Sequence, residues 1–135
     1  VQTFLPYDGF IKSGMCMDYR RLGKQRVEAY QILNILTGKT TKKGWQHHPA
    51  VLMWKGYEDA LAMYMDTMIA CWVERGYKNN MKRNGVGIAK PPPWLGDEKF
   101  HAAHRSNLLR KDPVYYAQFG WTEPADLPYV WPVQI

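Results

Sequence analysis

The run Asp18-Tyr19-Arg20-Arg21-Leu22-Gly23-Lys24-Gln25-Arg26-Val27-Glu28-Ala29 decides how this chain is read. Met15, Tyr19, Leu22, Arg26, Ala29, Leu33 and Leu36 follow one another by four and three. That spacing is a helical seam, interrupted once by Arg26, and it predicts one unbroken helix between a cap at Ser13 and a stop at Gly38. Asp18, Arg21, Gln25 and Glu28 recur at three, four and three, so they share a face of the same helix. Cations crowded around two carboxylates suit an anionic ligand and a proton-transfer step.

Outward from this run the pattern stays helical. Val1 to Ile11 reads as an irregular or extended lead-in with a turn at Tyr7-Asp8-Gly9, and Lys39 to Gly44 as a basic loop. His48-Pro49 opens a second helix, with Pro at the favoured first position. Its stripe of Val51, Trp54, Tyr57, Leu61, Tyr64, Met68, Ile69 and Trp72 marks the central core helix, which Gly76 stops after Arg75. Residues 78–95 form a long connection stiffened by Pro91-Pro92-Pro93. Asp97 caps a third helix from Glu98 to Lys111, with Phe100, Ala103, Asn107 and Leu108 on its inner face. Asp112-Pro113 then starts a short turn, and the tail carries Trp121, Tyr129 and Trp131 among three prolines. No alternating pattern persists long enough for a sheet. The expected fold is all-α: one domain over residues 1–135, three main helices, an extended N-terminal segment and an aromatic, Pro-rich C-terminal tail.

A chain of 135 residues holds one core. The formal net charge of +6 favours a polyanionic partner, and the 14% aromatic content adds rings on which bases stack. Two cysteines, no secretory pattern and no apolar run of membrane-spanning length point to a reducing cytoplasm with no membrane partner, and a monomer is the expectation carried forward.

Arg20, Arg21, Lys24 and Arg26 are candidate phosphate ligands, since Arg forks bind phosphate bidentately and Lys acts as a point charge. Arg26 falls on the apolar seam, where an unpaired charge is costly. Gln25, Lys42, Lys43, His47, His48, His104, Arg105, Tyr115, Tyr116 and Trp121 complete the candidate DNA-contacting set. His101 and His104 lie three apart, yet no carboxylate or thiol stands at ligand spacing, so neither a metal nor a cofactor is expected. Glu28 and Asp18 are the candidate proton carriers, or else salt-bridge partners of the neighbouring arginines. An α-amine ordinarily titrates near about 7.7–8.0, against about 10.4 for Lys. The amine of Val1 is therefore a candidate nucleophile toward a sugar C1′.

Together these residues resemble the pyrimidine-dimer DNA glycosylase/AP lyase family of the phage endonuclease V type. Tyr19-Arg20-Arg21-Leu22 is similar to that family's Tyr-Arg-Glu-Leu run, and His48-Pro49 stands where it has Ser-Pro. Glu74-Arg75-Gly76-Tyr77 is similar to its Lys-Arg-Gly-Phe, and residues 113–120 resemble its aromatic C-terminal segment. Leu22 to Glu28 and Trp45 to Ala50 resemble motifs of a bacterial and viral branch.

The resemblance implies a metal-independent enzyme acting on double-stranded DNA that contains a damaged base, in the cytoplasm and associated with the nucleoid. It implies displacement of the base by the Val1 amine, a Schiff base with the sugar and β-elimination. One position departs. Arg21 stands where the family's catalytic glutamate follows the Tyr-Arg pair, and Glu28 lies two helical turns further along that face. Glu28 is the first candidate for the displaced carboxylate and Asp18 the second. Removal of a different modified base, or DNA binding without chemistry, stays open at this point.

Overall fold

Residues 2–6 are buried yet belong to no helix or strand, and their backbone bonds to side chains. The computed structural model describes residues 1–41 and 44–133. Among them there is no strand. The helices are α1 (Phe10–Cys16), α2 (Tyr19–Leu36), α3 (Pro49–Leu52), α4 (Glu58–Glu74), α5 (Glu98–Lys111) and α6 (Pro113–Tyr116), followed by a 3₁₀ turn (Ala117–Phe119). The chain is all-α, with α2, α4 and α5 as its three main helices.

The helix expected from Ser13 to Gly38 is two helices. Met17 (ψ 144°) and Asp18 (ψ 158°) are extended and part α1 from α2. Two devices hold the break. The Asp18 carboxylate caps α2 at the Arg21 N–H. The Arg75 guanidinium lies 3.2, 3.0 and 2.7 Å from the carbonyls of Gly14, Met15 and Met17, at and just beyond the last turn of α1. Met15 and Tyr19 therefore leave the predicted seam and are exposed. The inward face of α2 is Leu22, Gln25, Glu28, Ala29 and Ile32.

The second predicted helix is also broken. His48 caps the short α3, its Nδ1 accepting from Ala50 N at 3.0 Å, and Gly56 turns the chain with φ 88° before α4 starts. The predicted third helix and its Asp97 cap are as expected.

Helix α4 is the hub, packed along α2 and against α1. Gly14 permits the α1 approach, because a Cβ there would stand 2.8 Å from Cys71 Sγ and 3.0 Å from Met68 Cε. Trp54, Tyr64, Phe100, Leu61 and Met68 fill the centre. Trp94, beyond the proline run, stands edge-on to Trp54 and donates its indole N–H to Met53 O at 3.0 Å, which anchors the long connection.

Through this core runs the lead-in. Phe4 N–H donates to Gln25 Oε1 at 2.8 Å, and Gln2 O accepts from Gln25 Nε2 at 2.9 Å. Phe4 O accepts from the Tyr64 hydroxyl and Pro6 O from Arg105, each at 2.8 Å. Leu5 is gripped at both ends: its N–H donates to His104 Nδ1 at 2.8 Å, and its carbonyl accepts from His101 Nδ1 at 2.7 Å. A buried segment with no sheet to join must find such partners. Helices α2, α4 and α5 each supply some, so residues 2–6 are fixed in register relative to all three.

Candidate active site

Glu28 projects from the inward face of α2 beside the start of the lead-in. Its Oε2 accepts the Gln2 backbone N–H at 3.1 Å and the Gln25 side-chain N–H at 3.2 Å. Its Oε1 faces the exposed Lys24 ammonium at 3.6 Å. Successive backbone nitrogens are at most about 3.7 Å apart, so the Val1 nitrogen lies within roughly 7 Å of this carboxylate.

Both groups line a cavity of about 810 Å³. One wall is cationic: Arg20, Arg21 and Lys24 from α2, with Lys111 from the end of α5. The other wall is aromatic: His48 stands edge-on to Trp131, ring centres 5.6 Å apart, and Trp131 neighbours Tyr129 at 5.3 Å. A carboxylate, a cationic wall and stacking surfaces can together hold a nucleotide, with phosphates on one side and a base on the other. A second, apolar groove of about 920 Å³ lies beside α1, between Phe10, Met15, Met63 and Leu95, and shares no residue with this cavity.

Asp18 lies in the same cavity but is committed elsewhere. Its Oδ1 accepts from the Tyr116 hydroxyl at 2.5 Å, its backbone N–H donates back to that oxygen at 3.1 Å, and Arg21 pairs with the carboxylate at 3.2 Å. Burial, then the bond to Asp18, pushes the Tyr116 hydroxyl well above its usual pKa. This reciprocal pair ties α6 to the start of α2. Glu28, whose Oε1 meets only a solvated lysine, is the freer of the two acids.

The family model described as pyrimidine dimer DNA glycosylase matches residues 1–84. This chain belongs to the pyrimidine dimer DNA glycosylase family. It is a DNA-repair glycosylase, an enzyme whose substrate is DNA. No curated protein and no solved structure matches the chain significantly. The matched part of the glycosylase holds Val1, Asp18, Glu28, His48 and most of the cationic wall. Tyr115, Tyr129 and Trp131 lie beyond it. Among the described residues no helix is long and apolar enough to cross a membrane.

The candidate set from the sequence divides sharply. Val1, Asp18, Arg20, Arg21, Lys24, Gln25, Glu28, His48 and Tyr115 of the glycosylase line the cavity together. Gln25 is buried, however, and its amide is taken up by Gln2, Phe4 and Glu28, so it builds the site rather than meeting DNA. Four other candidates sit away from the cavity in structural roles. His104 is fully buried, and burial lowers its pKa to about 3, so it is a neutral acceptor for Leu5. Arg105 pairs with Glu98 and Glu123 and holds Pro6 O. Tyr116 is buried on Asp18. Trp121 stacks on Tyr116 with ring planes 12° apart and donates to the Tyr7 hydroxyl.

Arg26 solves its placement on the predicted seam by lying 4.3 Å over the Trp72 ring and donating to Asn79. His47 is exposed outside the cavity. Lys42 and Lys43 lie outside the described residues. His101 and His104 are used by the lead-in, and among the described residues no group of three His, Cys, Asp or Glu could hold a metal ion.

Seven cavity residues were not among the candidates: Gln2, Phe4, Tyr19, Lys111, Asp112, Tyr129 and Trp131. Gln2 sits in a segment without periodicity. Tyr129 and Trp131 sit in the tail, where their spacing of two, which puts both on one side of an extended chain, was the available signal.

Proposed function

We propose that this glycosylase excises pyrimidine photodimers and then cleaves the strand, with the amine of Val1 as nucleophile and Glu28 as proton carrier. The observation that carries this is the 3.1 Å bond from Gln2 N–H to Glu28, which holds residue 1 beside a buried carboxylate inside the cationic and aromatic cavity.

In this mechanism Glu28 takes a proton from the Val1 ammonium, the neutral amine attacks C1′ as the C1′–base bond breaks, and the base leaves with a second proton from that nitrogen. Glu28 gives a proton to the ring oxygen as the C1′–O4′ bond opens, leaving an iminium between Val1 and the sugar. Loss of a C2′ proton then expels the 3′-phosphate by breaking the C3′–O bond, and hydrolysis of the imine frees the enzyme. Arg20, Arg21, Lys24 and Lys111 would meet the phosphates flanking an extruded nucleotide, offsetting an extrusion cost of a few kcal/mol that damage itself lowers. A monomer acting in the cytoplasm on nucleoid DNA completes the proposal.

The test is a panel of labelled duplexes carrying a thymine dimer, an abasic site, oxidised pyrimidines or no lesion. The expected result is a nick at the dimer and at the abasic site, with an unsaturated aldehyde at the new 3′ end. Nicks at another base lesion but not at the dimer would move the substrate, and intact strands throughout would end the lyase proposal.

A further inference from the structure

A second aromatic group lies where α2 meets the end of α4. Tyr77 stacks on Trp72 with ring centres 4.4 Å apart and planes 28° from parallel, and on Tyr19 at 6.2 Å and 29°. Tyr77 thus lies between the other two rings. Trp72 is held in turn: Arg26 lies 4.3 Å over its ring, and its indole N–H donates to Lys78 O at 2.7 Å. Gly23 brings α2 this close, since a Cβ there would stand 2.8 Å from the Trp72 ring.

Packing of α2 on α4 accounts for Trp72 but not for the two tyrosines, which keep 49% and 41% of their surface in water. Both faces of Tyr77 are covered by its neighbours, so it offers ring edge and hydroxyl to solvent. Cations flank the stack. Arg20 Nε donates to the Tyr19 hydroxyl at 3.1 Å, and Lys78, next to Tyr77 in the chain, is exposed. Glu74, the acid nearest to Tyr77 in sequence, lines a separate pocket with Met15 and Arg75. Tyr19 and Arg20 also line the cavity, so the stack continues its cationic wall.

We propose that Tyr19, Arg20, Tyr77 and Lys78 form a track for the sugar–phosphate backbone of the duplex arm that leaves the cavity on this side. A strand presents apolar sugars alternating with anionic phosphates. Ring edges suit the sugars, and cations and hydroxyls suit the phosphates. A ring with both faces covered gives an inserted base nothing to stack on, so a backbone is the occupant that fits. The rings and cations hold one another before DNA arrives, and little order is lost on binding. This inference rests on the cavity being the lesion site.

The test uses duplexes with one tetrahydrofuran abasic analogue, which the amine cannot open. Their arms are long on both sides, or shortened on one side or the other. Affinity is measured by fluorescence anisotropy for wild-type protein, Tyr77→Ala and Lys78→Ala, the last being a change at an exposed side chain that leaves the stack in place. Thermal unfolding and the rate of cleavage at saturating concentrations of a natural abasic duplex are followed in parallel. Wild-type protein should lose affinity when one particular arm is shortened. Each variant should bind the long duplex about 3- to 10-fold more weakly, bind the duplex lacking that arm within about twofold of wild type, and keep the saturated cleavage rate. Equal losses on all three duplexes, unchanged affinity, or a slowed saturated rate in folded protein would overturn the track. Wild-type protein that binds the analogue no better than undamaged DNA would overturn the cavity's role as the lesion site, and the track with it.

Discussion

Gln2 and Glu28 are joined by a single 3.1 Å hydrogen bond across 26 residues of sequence, and that bond brings the start of the chain to the only stretch of α2 where a carboxylate is buried. Gln25, one turn earlier on α2, fixes residues 2 and 4 from the same side, while His101 and His104 of α5 fix Leu5 from the other. Residue 1 is therefore presented by a frame of side chains rather than left to sample solvent, which is the kind of positioning that nucleophilic catalysis requires.

Glu28→Gln separates chemistry from architecture. The Gln2 N–H can still donate to a carbonyl oxygen in the same place, so the lead-in stays seated. Strand scission at a dimer should fall about 10²- to 10⁴-fold, the usual range for a lost acid or base. DNA affinity, measured by fluorescence anisotropy, should change little. Scission near the wild-type rate would exclude Glu28 from the reaction.

Lys24→Ala tests the cationic wall. The ammonium is largely solvated and its contact with Glu28 is long, so its removal should hardly alter stability. Binding should weaken on damaged and undamaged duplexes alike, and the slope of log K against log salt should flatten by about one unit. Weakening confined to damaged DNA would place Lys24 at the lesion instead of the backbone.

How much of this was legible in the sequence follows from what each signal measures. Helix α5 was readable because cap, inner face and stop agree. Asp97, Phe100, Ala103, Leu108 and the Asp112-Pro113 pair all point to the same boundaries. The break at Asp18 was hidden because its cause lies elsewhere. Arg75, nearly sixty residues on, takes the carbonyls that end α1, and no local pattern announces that. The same holds for the site. Glu28, Arg21 and Lys24 could be chosen from spacing on one helix. The assignment of His104 and Arg105 to structural work, and of Tyr129 and Trp131 to the cavity, depends on contacts spanning many tens of residues.

The neutral buried His104 makes stability depend on pH. Its folded pKa, lowered to about 3, lies below the ordinary value near 6.5. Between these two values the unfolded chain binds a proton that the folded one does not. Stability from this group is therefore present above about pH 6.5 and is lost as pH falls, by roughly 1.4 kcal/mol per unit while the gap lasts. His104→Asn retains an acceptor for Leu5 N–H and cannot titrate. Urea midpoints at pH 7, 6, 5 and 4 should fall less steeply for the variant, and parallel slopes would contradict the assignment.

Gly14→Ala probes the contact of α1 with α4. Alanine gains about 1 kcal/mol of helix propensity. Its Cβ, however, would stand 2.8 Å from Cys71 Sγ in a packed interior, and overpacking there costs about 1–3 kcal/mol. A net loss of about 1 kcal/mol or more is expected in chemical denaturation. A more stable variant would show that α1 can move outward freely.

The central claim, that the Val1 amine is the nucleophile beside Glu28, is tested most directly by borohydride reduction of the protein during its reaction with a thymine-dimer duplex. The peptide that carries the DNA is then identified by mass spectrometry. The account predicts one covalent adduct, on the α-nitrogen of Val1, formed in wild-type protein and greatly reduced in Glu28→Gln. An adduct on a lysine, or scission of the strand with no adduct that borohydride can trap, would contradict it.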